Sequence, residues 1–202
     1  MKPTPIQPRT GLIAAAAAVL AAPALVDAQE RTVPDTYKAV TVNMTPADVE
    51  LKADVIRWSA EDERAAVIAV LAEAENAESA AEALGGLPTL GVVWRSGSPV
   101  GHSIKYAHRT TSPDGSERIT LVTDKRIGST SFEPWTAGDG STEAPLAYSV
   151  VEMVTGENAE GTLSLGAEVV IDTASGTISL DRGARAPLLT NVTREPKPYW
   201  AN

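Results

Sequence analysis

The two histidines of the chain, His102 and His108, stand six residues apart in one β-patterned stretch, so both imidazoles point to the same face roughly 20 Å apart. Metal ligands must sit about 2 Å from a common ion, and that spacing excludes a two-histidine metal site. Another chemistry opens once the next stretch folds back. Pro113-Asp114-Gly115 is a tight-turn signal, and pairing Ser112 with Ser116 sets His102 opposite Arg126, Ile104 opposite Asp124, Tyr106 opposite Val122 and His108 opposite Thr120. Asp124 then lies diagonally between His102 and Tyr106. An imidazole, a phenol, a carboxylate and a guanidinium on one face can move a proton or hold an anionic group. His102, Tyr106, Asp124 and Arg126 are therefore the catalytic candidates of a hydrolase-like or isomerase-like reading. Cross-strand charge pairing on a solvated face is the stronger competing explanation, and a strand bulge would shift the register and break the set.

The elements that must carry these residues follow from periodicity. Residues 37–44 and 49–58 alternate as strands around the turn Thr45-Pro46-Ala47-Asp48. Ser59 then reads as a helix N-cap, with Glu61, Asp62 and Glu63 in the first turn and Val67, Val70, Leu71 and Ala74 at helical spacing. Residues 76–79 break this into two short helices, and Leu84-Gly85-Gly86 ends the second with a glycine free to turn left-handed. After Pro88 the pattern is strand and short turn throughout: 90–95, 102–110, 118–125, 146–155, 162–171, 177–180 and 188–192. The expected fold is α+β: a curved, mostly antiparallel β-meander, an open sheet or barrel-like, with one short helical pair inserted after the second strand. Trp58 and Trp94 are expected in its core, and Arg57, Glu152 and Glu168 as partners in ion pairs or lining a cavity.

One connection is longer than the rest. Residues 128–145 are rich in Gly, Ser and Thr, yet hold Phe132 and Trp135. Structureless loops of that length are usually functional or disordered. The aromatics either pin the loop to the sheet or form a flap over a pocket, which makes Phe132, Trp135 and Arg57 the ligand-binding candidates.

Composition sets the limits. The 202 residues carry 17 Lys+Arg against 26 Asp+Glu, a net charge of −9, and no basic cluster, which excludes nucleic acid as a partner. Cysteine is absent, so thiol catalysis, disulfides, Fe–S clusters and Cys-ligated zinc are excluded, and no cofactor or metal is expected. P-loop, G-x-G-x-x-G, G-x-S-x-G and H-E-x-x-H signatures are also missing. Lys2 and Arg9, an uncharged run from Gly11 to Ala22, and Val26 and Ala28 at the −3 and −1 places form an export signal over residues 1–28. Its apolar run of about a dozen residues falls short of the roughly 20 that span a bilayer. The expected organisation is a cleaved signal, a single domain over 29–193 and an extended tail over 194–202, with no stable membrane insertion after cleavage. The mature protein would be periplasmic or extracellular.

Taken in order, Arg57-Trp58-Ser59 with Glu63-Arg64, Ile104-Lys105-Tyr106-Ala107, Pro113-Asp114-Gly115 and Thr123-Asp124-Lys125-Arg126-Ile127-Gly128 form a recognisable series. It continues through Val151-Glu152-Met153, Ile178-x-Leu180-Asp181 and Pro187-x-Leu189-x-x-Val192. This series resembles a set of exported bacterial proteins of unknown function, over most of the mature chain. The resemblance implies a secreted, β-rich domain. It departs at His102, where the family usually carries an aromatic residue, and at His108, where it has no histidine, so it implies no histidine-centred mechanism. The leading functional expectation is a non-catalytic domain that binds a small molecule or an envelope component on the concave side of its sheet. The alternatives are the enzyme built on His102, Tyr106, Asp124 and Arg126, and a structural interaction protein that lends a strand edge to a partner.

Overall fold

In a computed structural model of the chain, the described residues are 33–129, 135–138 and 146–197. The proposed signal and Phe132 lie outside them. Eight strands close into an antiparallel barrel: β1 (Asp35–Thr41), β3 (Glu50–Val55), β4 (Gly91–Arg95), β5 (His102–Thr111), β6 (Glu117–Thr123), β8 (Ser149–Val154), β9 (Glu160–Leu163) and β12 (Leu189–Arg194). Around the barrel their order is β1-β12-β9-β8-β6-β5-β4-β3. Each pairs with the next barrel strand in the chain, and β12 returns to β1. The fold is thus an up-and-down meander that has removed its own edges by closure.

The other elements are insertions into the meander. Helices α1 (Glu61–Glu73) and α2 (Ala77–Gly85) lie between β3 and β4. They follow the third strand and not the second, because a two-residue strand, β2 (Met44–Thr45), precedes β3 and pairs with β7 (Thr136–Ala137). The hairpin of β10 (Glu168–Asp172) and β11 (Thr177–Asp181) interrupts the passage from β9 to β12. The stretch 162–171, read as one strand, is divided by a turn at 164–167 that sends β9 into the barrel and β10 out of it.

Alternation along the strands builds two apolar layers. Tyr37, Leu51, Val93, Ile104, Ile119, Leu121, Val151, Met153 and Leu189 fill the barrel interior at 3% exposure or less. An eight-stranded barrel has room for its own side chains or for one small ligand, and this one is packed by side chains. The second layer lies outside the wall, where Val67, Ile68, Leu71, Leu84, Ile178 and Leu180 from the helices and hairpin cover Tyr106, Val122 and Val150.

Several local expectations need correction. Ser59 does not cap α1: its hydroxyl accepts the Ala107 N–H at 2.9 Å and its own N–H donates to the Ala107 carbonyl at 2.9 Å, tying the helix entry to β5. The N-cap is Ala60, whose N–H donates to Glu63 Oε2 at 3.0 Å. Asn76 caps α2 by accepting from the Ser79 N–H at 2.9 Å. Gly86 closes that helix with φ −73°, not left-handed, and the buried Lys105 ammonium donates to the Gly85 and Leu87 carbonyls at 3.3 and 2.8 Å. A cation at a helix C-terminus satisfies orphan carbonyls and opposes the dipole. Trp94 lies on the outer face, half-buried beneath Lys52. Arg194 is the last residue of β12 and is bonded to Asp35 and Glu117, so the C-terminal segment starts firmly docked.

Candidate functional site

The hairpin around Gly115 forms as its residues require. Gly115 takes φ +83°, Ser112 donates to the Ser116 carbonyl at 2.9 Å, and Tyr106 faces Val122 while His108 faces Thr120. The register then slips between Ile104 and Tyr106, and Ile104 meets Thr123 in place of Asp124. This bulge decides the fate of the predicted cluster. Lys105 and Tyr106 both face the helices, whereas His102, opposite Val93, shares the interior face with Ile104. His102 and Tyr106 therefore stand on opposite sides of the barrel wall, and the catalytic set does not converge.

Each member has its own surroundings. His102 is 6% exposed with no hydrogen-bond partner at Nδ1. Burial lowers its pKa, the Asp124 charge partly opposing and Lys125 assisting. No hydrogen bond or ion pair joins it to Asp124. The Tyr106 hydroxyl is buried without a partner, the Ile178 N–H standing near but outside bonding geometry, and burial raises its pKa. Arg126 turns away and donates to the Trp135 carbonyl at 3.0 Å. Trp135, expected to be a pinning or flap residue, is 1% exposed and belongs to the interior layer. Gly128 allows this: at φ +84°, a Cβ there would meet the indole within 2.6 Å. The cavity beside Trp135 holds about 20 Å³, enough for one water. Arg57 is exposed and spends both terminal nitrogens on Glu63 at 2.6 Å, not on Glu152 or Glu168. Glu152 instead pairs with Arg118 and accepts from the Leu180 N–H.

At the end of the barrel where β1 begins, strand alternation aims charges inward. Asp35 shares its face with Tyr37, Glu117 with Ile119, and Arg109 with Ala107. Arg194 Nη2 donates to Asp35 at 2.6 Å and its Nη1 to Glu117 at 3.0 Å; Arg109 donates to Glu117 at 3.1 Å. The Tyr37 hydroxyl donates to Glu117 at 3.0 Å, the Trp58 indole N–H to Asp35 at 3.0 Å, and Lys197 lies 3.3 Å from Asp35. The Arg109 guanidinium stacks 4.6 Å from the Trp58 ring. Burial pushes the Asp35 carboxyl upward, but bonds from Arg194 and Trp58 outweigh it and hold the group below its ordinary value. Burial, with the Glu117 charge, pushes the Tyr37 phenol up to about 12, Arg109 opposing. At neutral pH Asp35 is thus held ionised and the Tyr37 phenol protonated, and their bonds to Arg194 and Glu117 stitch β1 to β12 and β6.

The opposite end carries a ligand-sized cleft. Asn43, Ala137, Gly138, Gly166, Arg185, Ala186 and Leu188 line a cleft of about 410 Å³ between the β2–β7 ribbon and the loop before β12. Its floor is apolar, from Ala137 and Leu188. Its walls are pinned by backbone bonds: Gly138 donates to the Asn43 carbonyl at 2.8 Å, Asn43 Nδ2 to Pro187 at 2.9 Å, and Arg185 Nη1 to Gly166 at 3.1 Å. Asn43 adopts φ +53°, a conformation Asn tolerates better than most residues. No protein-family model matches the chain, and no curated protein or solved structure does. The site must therefore be read from its own chemistry. Among the described residues no three His, Asp or Glu side chains converge to hold a metal ion, and the cleft lining includes no nucleophile paired with a base. What it offers is an apolar floor rimmed by an amide, a guanidinium and backbone groups. Sequence reasoning missed these residues, since glycines, alanines and a leucine in loops carry no chemical signature; only Ala137 and Gly138, inside the long connection, fall where a pocket wall was expected.

Proposed function

We propose that the protein is an exported, non-catalytic binding domain that holds a small, partly apolar molecule in the cleft beside Ala137 and Leu188. The single observation that carries this reading is the cleft itself: about 410 Å³ lies within the roughly 300–1,000 Å³ of small-molecule sites. The packed interior redirects the expectation of a ligand on the concave side of the sheet to the cleft at the barrel end, which has the apolar floor that the more open, charge-lined cleft of Glu168, Asp181 and Arg182 lacks. Separation of His102 from Tyr106 argues against the enzymatic alternative. Export is supported by the pattern of Lys2, Arg9 and the small-residue exit at Ala28, in keeping with the resemblance to exported bacterial proteins. Among the described residues no helix is long and apolar enough to cross a membrane.

Native mass spectrometry of protein purified from the periplasm of its expression host tests both parts. The expected spectrum shows a chain beginning at Gln29 with a small-molecule adduct. Ala186→Trp, at an exposed position on the cleft rim, should remove the adduct and leave the melting temperature unchanged. An adduct that survives this substitution would place the ligand elsewhere, and protein that is always empty would remove the binding reading.

A further inference from the structure

The β10–β11 hairpin forms a two-stranded sheet apart from the barrel, with Glu168 opposite Asp181, Val170 opposite Ser179 and Asp172 opposite Thr177. The two long edges of this hairpin are treated differently. On the β11 side the Leu180 N–H donates to the Glu152 carboxylate of the barrel wall at 3.3 Å, so that edge is covered. The same bond fixes the phase of the ladder. Leu180 points its backbone away from β10, so Val169 opposite it, and Ile171 two residues on, direct their N–H and C=O groups to the outer edge of β10. Among the described residues no strand pairs along that edge, and none accepts from the Val169 or Ile171 N–H.

Side chains divide along β10 in the same way. Val169 and Ile171 pack against the helix-side layer, whereas Glu168, Val170 and Asp172 are exposed. Val170 is 41% exposed, one of three large apolar side chains so exposed among the described residues. A carboxylate stands two residues to either side of it. Asp181, across the hairpin from Glu168, adds a third, and the neighbouring Arg182 is taken by Glu160 at 2.6 Å.

We propose that this edge accepts an extended segment of a partner protein as an added strand, a segment carrying Lys or Arg two residues on either side of a small apolar side chain. The free backbone groups supply the ladder, and the acidic frame around Val170 supplies the selection. The frame also argues against a second copy of this chain. An antiparallel copy centred on Val170 would set Glu168 against Asp172 of its mate twice, and like charges directly opposite are destabilising. Short edges bounded by charge resist indiscriminate pairing. A basic segment turns that barrier into an attraction.

The test uses the full chain and two capped peptides, acetyl-Lys-Thr-Val-Thr-Lys-amide and its Glu-ended counterpart, read by amide hydrogen exchange at Val169 and Ile171. With the basic peptide at ten times its Kd, exchange at these two amides should slow about tenfold, and the acidic peptide should leave it unchanged. Glu168→Lys should weaken the response to the basic peptide. Ile171→Pro should abolish it without touching a ladder bond of the hairpin, the retained far-UV circular dichroism showing that the barrel stands. No slowing with the basic peptide at millimolar concentration overturns the proposal, as does equal slowing by both peptides. Protection of the same amides that grows with protein concentration, together with a dimer in sedimentation, assigns the edge to a second copy and overturns it too.

Discussion

Truncating Asp35 to alanine should cost about 3 kcal/mol, and the value can be built from its partners. The carboxylate accepts from Arg194 at 2.6 Å, from the Trp58 indole at 3.0 Å and faces Lys197 at 3.3 Å. Removing one partner of a fully buried pair costs roughly 3–5 kcal/mol. Here the Arg194 and Lys197 side chains are 36% and 40% exposed, so water recovers them and each loss falls to about 1 kcal/mol. The indole N–H, left without its acceptor in a half-buried place, adds about 1 kcal/mol. For a domain of this size, about 3 kcal/mol lowers Tm by roughly 6–12 °C. Calorimetry of wild type and Asp35→Ala at a series of pH values reads it directly. Because the folded pKa of Asp35 lies below its ordinary 3.8, its contribution is full above that value and is lost as pH falls through the folded pKa. The gap between the two proteins should therefore be complete at pH 7 and close below about pH 4. A double-mutant cycle with Arg194→Ala should return a coupling of about 1 kcal/mol. A shift within about 2 °C at pH 7, or a gap that does not change with pH, would refute the assignment of this network as a strand-joining element.

Three further outcomes follow from the same kind of reading. Ser59→Ala removes the acceptor of the buried Ala107 N–H and should cost about 1–2 kcal/mol in urea unfolding, while the Glu63 bond to Ala60 keeps α1 capped. His102 is buried and folds best when neutral, its folded pKa below 6.5, so wild type should lose stability as pH drops below 6.5, and His102→Phe should weaken that dependence in melts between pH 7.5 and 5, leaving the part owed to His108, whose pKa burial and Arg64 also lower. Gly128→Ala combines a strained φ of +84° with overlap on the Trp135 ring, and should cost about 2 kcal/mol or more, with a changed tryptophan emission spectrum reporting displacement of the indole.

Much of the architecture was legible because it rests on short-range rules. Alternation in residues such as Glu50-Leu51-Lys52-Ala53-Asp54-Val55 marks a strand with one wet face, and Gly115, Gly156 and Gly176 mark turns whose positive φ only glycine takes cheaply. The barrel's closure was not legible, since pairing of β12 with β1 joins the last strand to the first, and no local signal distinguishes it from an open edge. The catalytic candidates failed for an equally physical reason. A single extra residue at Lys105 turns every preceding side chain of β5 to the other face. The bulge frees the Lys105 ammonium to bond the carbonyls at the end of α2, a tertiary role that no pattern within the hairpin announces. The charged end was not read, because Asp35 and Glu117 fall just outside the strands expected at 37–44 and 118–125. Asp35 and Glu117 occupy the in-facing phase of strands whose other in-facing residues are apolar, and a charge in that phase at a strand end points to a partner across the barrel.

Closure also dictates where this molecule can meet anything else. Among the described residues Tyr37, Ile104, Leu121 and Met153 pack the barrel interior and closure leaves no free barrel edge, so both proposed binding sites fall on what the meander inserts between its strands. Four connections carry such insertions. The helices are spent covering Tyr106 and Val122, which leaves the β2–β7 ribbon with the pre-β12 loop to form the cleft, and the β10–β11 hairpin to present the only edge of more than two residues outside the barrel among the described residues. Both lie beyond the packed wall, so substitutions at Ala186 or Glu168 should alter binding without moving Tm, while those at Asp35, Ser59 or Gly128 should move Tm without selecting between ligands. A variant of the first group that melts early, or one of the second that changes which peptide is bound at unchanged Tm, would show that wall and insertions are energetically coupled and that this separation of roles is wrong.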